Sequence, residues 1–307
     1  MFSKKLSVKR ISKISRSLFR LRLYSTISKL GITAYLPFHK RFSSNEGGTV
    51  TPVELREVFE DLGGAFTKLG QLLAMRPDLI GRKYSSELES LLDHTKEVKF
   101  SEIKHEIKDL KGFEVNEKAI GSASISQVYK AKRNGKNYVI KIKKPRIDEL
   151  FEEDIKIMEY FAPKIQKHLD LSFIDLKEII NEFKEYTLRE LNFKNEANNI
   201  KLFGDKFKNS KDILIPKVYN EFSTKNRIVM EYVNGKNILE IKDKNKKYIR
   251  IISNSVYEMI FEHKIFHADL HSGNIFFKDD KIIYLDFGIV GRVNNELEEK
   301  LFALFSS

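Results

Sequence analysis

The clearest structural signal in the chain comes from residues 266–277, FHADLHSGNIFF, and residues 282–290, IIYLDFGIV. The first segment sets Asp269 and Asn274 in an H-x-D-x4-N pattern. The second places Asp286, followed by Phe and Gly, directly after a run of β-forming residues. An aspartate-rich turn separates the two segments, so the pattern predicts two strands with polar residues at their ends.

The residue types in these segments fit phosphoryl transfer. Mg²⁺ neutralises β- and γ-phosphate oxygens in such reactions, and hard cations prefer oxygen ligands. Asp286 and Asn274 are therefore the predicted Mg²⁺ ligands, and Asp269 is predicted to orient or deprotonate an acceptor hydroxyl. His267 and His271 are expected to stabilise the loop, with His267 supporting the Asp-Phe-Gly turn.

A second group of strands is predicted between residues 113 and 143. Asn134-Gly135 between two β-rich runs indicates a tight hairpin. An earlier strand is expected to end near Ile120 and to lead into a turn of small residues, whose backbone N–H groups can approach phosphate oxygens. The predicted nucleotide-binding residues of this turn are Gly121, Ser122, Ala123 and Ser124, in place of the usual G-x-G-x-x-G pattern.

Lys141 lies in the β-rich run YVIKIK, which fits the third strand of protein kinases. There a lysine holds phosphate oxygens while it pairs with a helical glutamate. The alternative is an ordinary edge-strand lysine. A long helical stretch is predicted at about residues 174–207 and offers glutamates for this pair, and the segments IPKVYNEF and RIVMEYVNG are predicted strands. Glu231 and Val233 lie in the second segment, at a predicted hinge whose backbone can meet an adenine ring.

The amino-terminal arm carries almost all of the excess charge. Residues 1–45 contain eleven Lys or Arg and no Asp or Glu, so residues 46–307 hold 44 basic and 43 acidic residues and are nearly neutral. This distribution argues against a nucleic-acid-binding body. Residues 1–29 are compatible with a membrane-surface helix, a mitochondrial transit peptide, or a helix packed on the body with a solvated basic face.

Composition limits the remaining classes. The chain of 307 residues has no cysteine, which excludes disulfides and cysteine-bound zinc and fits a reducing compartment. No run approaches the roughly 20 apolar residues that span a bilayer. Residues 42–51 are a predicted linker, and Thr51, Pro52 and Glu54 predict the start of a helix that continues through Leu73. Gly70 inside this helix suggests close approach of another backbone.

Six motifs occur in an order that resembles the UbiB-like (ABC1K or ADCK) atypical kinases. They are KLGQ at 68–71 followed by MRPDL, GSASISQVYKA at 121–131, VIKIKKP at 139–145, ELNFKNEANN at 190–199, HADLHSGN at 267–274 and LDFGIVGR at 285–292. The resemblance covers most of the chain, and the KxGQ element is close to diagnostic. It implies a kinase-like fold that binds ATP or ADP with Mg²⁺. It also implies ATPase or small-molecule phosphotransfer activity, with a KxGQ helix over the active site.

The resemblance assigns roles to particular residues. Lys141 becomes the phosphate-binding lysine and Glu196 its candidate partner, which makes these two and Asp269 the predicted catalytic residues. Lys68 and Gln71 form the KxGQ pair. Glu190 begins the family's ExD element, which would face Lys68, so these three are predicted regulatory residues.

Two departures from the family pattern stand out. The ExD element reads Glu190-Leu191-Asn192, so one acidic charge expected near Lys68 is missing. The chain also ends nineteen residues after Gly288, whereas family members have further C-lobe helices. A fragment is the favoured explanation; a short gene product or a partner that completes the lobe are alternatives.

The sequence therefore predicts an α+β, protein-kinase-like two-lobed fold with an N-terminal helical KxGQ extension and a truncated C-lobe. Its expected parts are a basic arm (1–45), the KxGQ extension (46–112), an N-lobe (113–233) and a partial C-lobe (234–307). The favoured function is a peripheral membrane kinase or ATPase that supports ubiquinone or other isoprenoid-lipid synthesis. It would act on the cytoplasmic side of a prokaryotic membrane or in mitochondria.

The expected partners are an anionic membrane surface and a quinone-type or isoprenoid lipid, or lipid-synthesis proteins. A nucleotide-binding pseudokinase scaffold is one alternative. The other is a soluble small-molecule phosphotransferase, against which the KLGQ and DFG elements argue.

Overall fold

The computed structural model describes residues 7–21, 36, 50–93, 97–168, 175–241 and 246–306. Its helices are α1 (Val8–Arg20), α2 (Pro52–Leu62), α3 (Gly64–Ala74), α4 (Pro77–Ile80), α5 (Arg82–Leu88), α6 (Ser90–Asp93), α7 (Phe100–Ile103), α8 (Ile147–His168), α9 (Leu176–Glu190), α10 (Phe193–Lys206), α11 (Lys246–Tyr257) and α12 (Asn295–Ser306). Its strands are β1 (Glu114–Ser122), β2 (Ser126–Arg133), β3 (Lys136–Lys143), β4 (Ile213–Leu214), β5 (Arg227–Glu231), β6 (Lys236–Asn237), β7 (Ile265–His267), β8 (Ile275–Lys278), β9 (Lys281–Tyr284) and β10 (Val290–Arg292).

These elements form two compact units. The first consists of Met1–Lys104, Ile120–Gln127 and Lys143–Leu188, and the second of His105–Ala119, Val128–Ile142 and Arg189–Ser307. The four sequence-based domain boundaries stay a prediction, and the proposed linker at 42–51 lies largely outside the described residues.

The first unit is mainly helical. Thr51 and Glu54 form the expected capping box at the start of α2. The predicted helix does not continue to Leu73, however, because Gly63 and Gly64 both adopt positive φ angles of 66° and 58°. Such left-handed backbone suits glycine and ends a helix. The helix that carries Lys68 and Gln71 is therefore the separate α3.

Helix α1 packs its apolar face inside this unit. Ile11 and Ile14 are buried in one cluster with Leu62 and Phe161, while Lys9, Arg16 and Arg20 are exposed. For the described residues 7–21 this arrangement matches the packed-helix interpretation. The remainder of the arm, at 1–6 and 22–29, lies outside the described residues.

Gly70 is in close contact with side chains, which corrects the expectation of a neighbouring backbone. A Cβ at Gly70 would lie 2.6 Å from Leu91 Cδ1 and 3.0 Å from Phe59 Cδ2. Both residues are buried in the cluster under α3. The glycine therefore leaves room for packing within the first unit.

Three sheets lie largely in the second unit, although the ends of β1, β2 and β3 at 120–122, 126–127 and 143 belong to the first. One has the order β1-β2-β3-β5, the second β4-β9-β8-β6, and β7 pairs with β10. Asn134 and Gly135 have φ angles of 49° and 74°, as the predicted hairpin requires. The prediction of a strand over IPKVYNEF is wrong, because Asn220–Phe222 is a 3₁₀ turn and Val218 makes only an isolated bridge to Met230.

The helical stretch predicted at 174–207 is interrupted at Leu191 and Asn192. Asn192 is extended, with φ −100° and ψ 93°, and its side-chain oxygen accepts a hydrogen bond from Lys194 N at the start of α10. The amide that replaces the family's acidic residue thus caps the helix that carries Glu196.

We expect Asn192→Ala to lower the free energy of unfolding by about 1 kcal/mol, because the helix loses this cap. Asn192→Asp should retain wild-type stability, since aspartate accepts the same backbone hydrogen bond. Urea unfolding of the three proteins measures both values. Equal stability of the alanine and aspartate variants would contradict a capping role.

Candidate active site

The β8–β9 hairpin brings two of the predicted metal ligands together. Ile275 pairs with Tyr284 in antiparallel register, and Leu285 N donates to Asn274 O at 2.9 Å, which extends the pairing by one residue. Asn274 therefore lies opposite Leu285, and Asp286 follows immediately. Asp286 adopts a positive φ of 56°, and its Oδ1 accepts a hydrogen bond from Gly288 N.

Lys141 meets two carboxylates in the second unit. It lies on β3 opposite Ile228 of β5 and is only 8% exposed. Its Nζ donates to Glu196 Oε1 and Oε2 at 2.8 and 2.9 Å and to Asp286 Oδ2 at 3.1 Å. The structure thus brings together a lysine, a helical glutamate and the aspartate of the DFG turn.

Glu196 reaches this position on the buried face of α10. Phe193, Ala197, Ile200 and Phe203 form that face, and Glu196 itself is 4% exposed. A glutamate in line with an apolar helical stripe is forced into the interior and needs a cation or a proton there. Lys141 supplies the cation.

The electrostatics of the cluster favour additional positive charge. Burial lowers the pKa of Lys141, but the charges and hydrogen bonds of Asp286 and Glu196 outweigh this effect, so its pKa lies above the ordinary value. Burial raises the pKa of Glu196 to about 7 despite the attraction of Lys141, and the charges of Asp286 and Glu190 raise it as well. Two carboxylates thus share one ammonium group, an excess of negative charge that a divalent cation would offset.

The His267 side chain fixes the loop around Asp269. His267 Nδ1 accepts a hydrogen bond from Asp269 N at 3.1 Å, and its Nε2 lies 3.2 Å from Leu285 O. This arrangement requires the neutral imidazole with the proton on Nε2. Burial lowers the pKa of His267, which also favours the neutral form. His267 therefore connects the Asp269 loop to the strand that leads into Asp286.

The orientation of Asn274 suits a metal ligand. Its Nδ2 donates to Asp269 O at 3.2 Å, so the amide nitrogen is already engaged and the amide oxygen is the group left to act as an acceptor. An amide oxygen at Asn274 and a carboxylate at Asp286 form the oxygen-rich set that Mg²⁺ prefers. These residues therefore fit the cation on the chemistry of their donors.

The DFG phenylalanine is held by α10, a contact that sequence reasoning missed. Phe287 is buried, with its ring centroid 4.9 Å from those of both Phe203 and His267. Asn199 Nδ2 donates to Phe287 O at 2.8 Å. Asn199 follows Glu196 by three residues, so one helix contacts both Lys141 and the DFG segment. In the sequence, the signal for this contact was a polar residue, Asn199, near the apolar face of α10.

The predicted hinge residues follow β5. Glu231 is exposed, pairs with Tyr138 of β3, and its N–H donates to Lys217 O at 2.8 Å. Val233 lies in the loop after β5 and is half-buried. Their contact with an adenine ring stays a prediction.

The predicted nucleotide-binding residues at 121–124 do not all lie in one turn. Gly121 and Ser122 belong to β1, so the turn is shorter than expected and is closed by a hydrogen bond from Ala123 N to Ser126 O. Ser124 lies in this turn, within the first unit. Pairing of β1 with β2 extends the strand into the predicted loop.

The KxGQ pair makes contacts within the first unit. Gln71 is buried, and its Nε2 donates to Leu91 O at 2.9 Å. Lys68 Nζ lies 5.3 Å from the centre of the Tyr186 ring. Glu190 ends α9 in the second unit. The regulatory roles of Lys68, Gln71 and Glu190 stay predictions.

The ABC1 atypical kinase-like domain matches residues 90–307. The chain belongs to the ABC1 atypical kinase-like family. This result confirms the family resemblance, and the mixed helix-and-sheet structure has the kinase-like fold of that family.

Known proteins of several organisms resemble this ABC1 chain. A Clostridium pasteurianum protein described as uncharacterized, from the 5′ region of hydrogenase 1, is 33% identical over 273 residues, which cover 84% of this chain and 52% of the relative. The probable protein kinase UbiB of Enterobacter sp. (strain 638) is 29% identical over an alignment that covers 97% of this chain and 60% of the relative. The chain thus spans little more than half the length of these curated relatives.

A chloroplastic relative and a solved structure agree with this assignment. The former, an aarF domain-containing protein kinase of Arabidopsis thaliana, is 33% identical over 81% of this chain and 37% of its own length. The solved structure is the complex of Rv3197 with erythromycin from Mycobacterium tuberculosis. It is 25% identical with a TM-score of 0.57, and the match covers 81% of this chain and 69% of that one.

Proposed function

We propose that this ABC1 chain binds Mg-ATP in its second unit and transfers or hydrolyses the terminal phosphoryl group. The supporting observation is that Lys141 Nζ binds Glu196 and Asp286 at once. Protein kinases require both the lysine–glutamate pair and the DFG aspartate in place for activity. The chain's own side chains already hold this arrangement.

Each residue has a role that follows from its chemistry. Lys141 remains a cation and donates hydrogen bonds to phosphate oxygens, with Glu196 fixing the direction of its ammonium group. Asp269 accepts the proton of the attacking hydroxyl or water. Asn274 and Asp286 would hold Mg²⁺, which when bound supplies positive charge to the phosphate oxygens. The pair of Lys141 and Glu196 is buried, so bulk water does not weaken it.

Nucleotide binding is the first test of this proposal. We expect Mg-ADP and Mg-ATP to raise the thermal unfolding temperature, because a ligand at a hundredfold excess over Kd stabilises the folded state by about 2.7 kcal/mol. The same nucleotides in EDTA should give a smaller shift. No shift with either nucleotide would refute the proposed activity and the nucleotide-binding pseudokinase alternative together.

The proposed site of action is a membrane surface, and the proposed role is in ubiquinone or other isoprenoid-lipid synthesis. None of the helices that the structure describes is long and apolar enough to cross a membrane. Association would be peripheral, on the cytoplasmic side of a prokaryotic membrane or in mitochondria. The acceptor would be a quinone-type or isoprenoid lipid, or a lipid-synthesis protein, as the family suggests.

The basic face of α1 supports membrane association through charge. Lys9, Lys13, Arg16 and Arg20 recur at intervals of four, three and four residues, so they follow one side of the helix. Among the described residues no carboxylate pairs with Lys9, Arg16 or Arg20. The apolar face of α1 is packed inside the first unit. The helix would therefore contribute to membrane binding through the attraction of its basic residues to anionic headgroups.

We expect replacement of Lys9, Arg16 and Arg20 by glutamine to weaken binding to phosphatidylserine-containing vesicles roughly a hundredfold, because each cation contributes about 1 kcal/mol near an anionic surface. Vesicle sedimentation measures this loss. Replacing the exposed Lys108, Lys118 and Lys136 instead changes the net charge equally and serves as the control. Equal losses in the two triple variants would assign the binding to net charge rather than to α1.

A further inference from the structure

Strand β6 joins the predicted hinge to the loop that carries Asn274. It begins three residues after Val233 and pairs with β8, where Asn237 lies opposite Phe276. The strand is only two residues long. Contacts of its side chains and of the preceding glycine therefore determine how closely the chain after the hinge approaches β8.

Gly235 permits this close approach. A Cβ at this position would lie 2.9 Å from Ile283 Cδ1 and 3.0 Å from Phe277 O. A larger residue at Gly235 would clash, because the backbone oxygen of Phe277 cannot move aside as a side chain can. The segment after the hinge thus rests directly on the β8–β9 hairpin.

Asn237 connects this segment to the metal loop. Its Nδ2 donates to Ser272 O at 3.1 Å and to Gly273 O at 3.3 Å, the two carbonyls that precede Asn274. Its Oδ1 accepts from Leu239 N at 2.8 Å and so caps the 3₁₀ turn that follows. One side chain therefore holds two segments, through its donor on one side and its acceptor on the other.

The loop at Ser272–Asn274 is a single 3₁₀ turn, and the side-chain amide of Asn274 donates to Asp269 O. His271 Nδ1 accepts from Gly273 N at 3.1 Å, and Asn274 N donates to His271 O at 2.8 Å, so both of these bonds stay within the loop. On one side the loop is held by Leu285 N, which donates to Asn274 O. On the other side it is held by Asn237. Loss of the Asn237 donor would free the peptide groups just before Asn274.

We propose that Asn237 is a positioning residue, which aims the side-chain oxygen of Asn274 and couples the hinge segment to the Mg²⁺ site. This inference rests on the proposed function, because it concerns the same nucleotide site. Asn237 itself touches neither of the predicted metal ligands through its side chain; it acts on the backbone next to Asn274. Its loss should therefore weaken metal-dependent binding of nucleotide and leave metal-independent binding nearly unchanged.

Two substitutions separate the donor of Asn237 from its capping role. Asn237→Ser keeps a side-chain acceptor for Leu239 N, since serine is a good cap, but loses the amide donor. Asn237→Asp also keeps the acceptor and the shape and replaces the donor by a charged oxygen. Added negative charge alone would strengthen cation binding, so a weakening in this variant reports the lost donor. Asn234→Ser, at an exposed asparagine three residues earlier, is the matched control.

The experiment is titration calorimetry of ADP binding to the full chain, with Mg²⁺ and with EDTA. In wild type and in Asn234→Ser we expect tighter binding with Mg²⁺. In Asn237→Ser and Asn237→Asp this metal-dependent gain should fall about 10- to 100-fold, the range found when groups that orient metal ligands are removed. ADP affinity in EDTA should change less than about threefold. General loosening of the fold would instead weaken ADP binding both with Mg²⁺ and with EDTA.

The outcomes distinguish the two levels of the proposal. An undiminished metal-dependent gain in both Asn237 variants overturns the positioning role while the proposed function stands. Equal losses with Mg²⁺ and with EDTA also overturn it, because they indicate a structural role. Absence of ADP binding in the wild-type chain refutes the proposed function and this inference together.

Discussion

Asp286→Asn is expected to reduce Mg-ATP turnover by at least about a hundredfold. The substitution removes one of the two predicted metal ligands and the second carboxylate on Lys141. Loss of groups that merely orient metal ligands already costs 10- to 100-fold in affinity or activity, so loss of a direct ligand should cost at least the upper value. Steady-state phosphate release at saturating Mg-ATP measures the effect.

Asparagine is the appropriate replacement because of the backbone. Asp286 has a φ of 56°, and asparagine tolerates this left-handed conformation far better than alanine does. Asp279→Asn is the control: Asp279 lies on the turn of the same hairpin and also has a positive φ, of 48°. Wild-type turnover in Asp286→Asn would contradict its assignment as a metal ligand, whereas parallel losses in both variants would indicate damage to the hairpin.

The hairpin itself follows from the sequence almost completely. Two β-forming runs with an aspartate-rich turn between them set the register, and that register places Asn274 opposite Leu285. Only the period-two pairing of antiparallel strands is needed for this step. The local pattern thus predicts the proximity of Asn274 and Asp286, so this part of the site could be predicted from the sequence.

The pairing of Lys141 with Glu196 required more than local pattern. The two residues are 55 positions apart, and the helical stretch offered several glutamates. The family resemblance selected Glu196; the physical signal was its place on the apolar stripe of α10. Which helix face meets which strand depends on tertiary packing, so sequence alone could not give the partner.

Other contacts between distant segments left no signal in the sequence. Asn237 resembles any loop asparagine in the sequence, and its role appears only when Ser272 and Gly273 are placed beside it. The same holds for Arg10, one of the eleven basic residues of the arm, for which the packed-helix interpretation expects a solvated basic face. Its burial could not be inferred, because isolated basic residues in a charged segment are normally exposed.

Removal of Asp154 is expected to produce the largest loss of stability in the first unit. Asp154 is fully buried, and its Oδ1 and Oδ2 accept hydrogen bonds from Arg10 Nε and Nη2 at 2.5 and 2.8 Å. Oδ2 also accepts from Ala65 N at 3.1 Å, at the start of α3. Arg10 in turn donates to Leu62 O at 2.7 Å, so the pair holds α1, α8 and the glycine break before α3 together.

The charge of Asp154 is costly to bury, which makes its partner essential. Burial raises the pKa of Asp154, while the hydrogen bonds and charge of Arg10 act in the opposite direction. Deleting one member of a buried ion pair leaves an uncompensated charge and typically costs 3–5 kcal/mol. We expect a loss of about that size for Asp154→Ala and for Arg10→Met, measured by chemical unfolding followed by circular dichroism.

The double variant Arg10→Met/Asp154→Asn tests this explanation. It leaves no unpaired charge, and its side-chain amide oxygen can still accept from Ala65 N, so its loss should be well below the sum of the losses of the single variants Arg10→Met and Asp154→Asn. Glu152→Gln on the same helix is the control, since Glu152 forms an exposed pair with Lys156 and should change stability by less than about 0.5 kcal/mol. Strict additivity of the losses of Arg10→Met and Asp154→Asn would show that the two residues stabilise the unit independently, and would contradict the explanation by a buried ion pair.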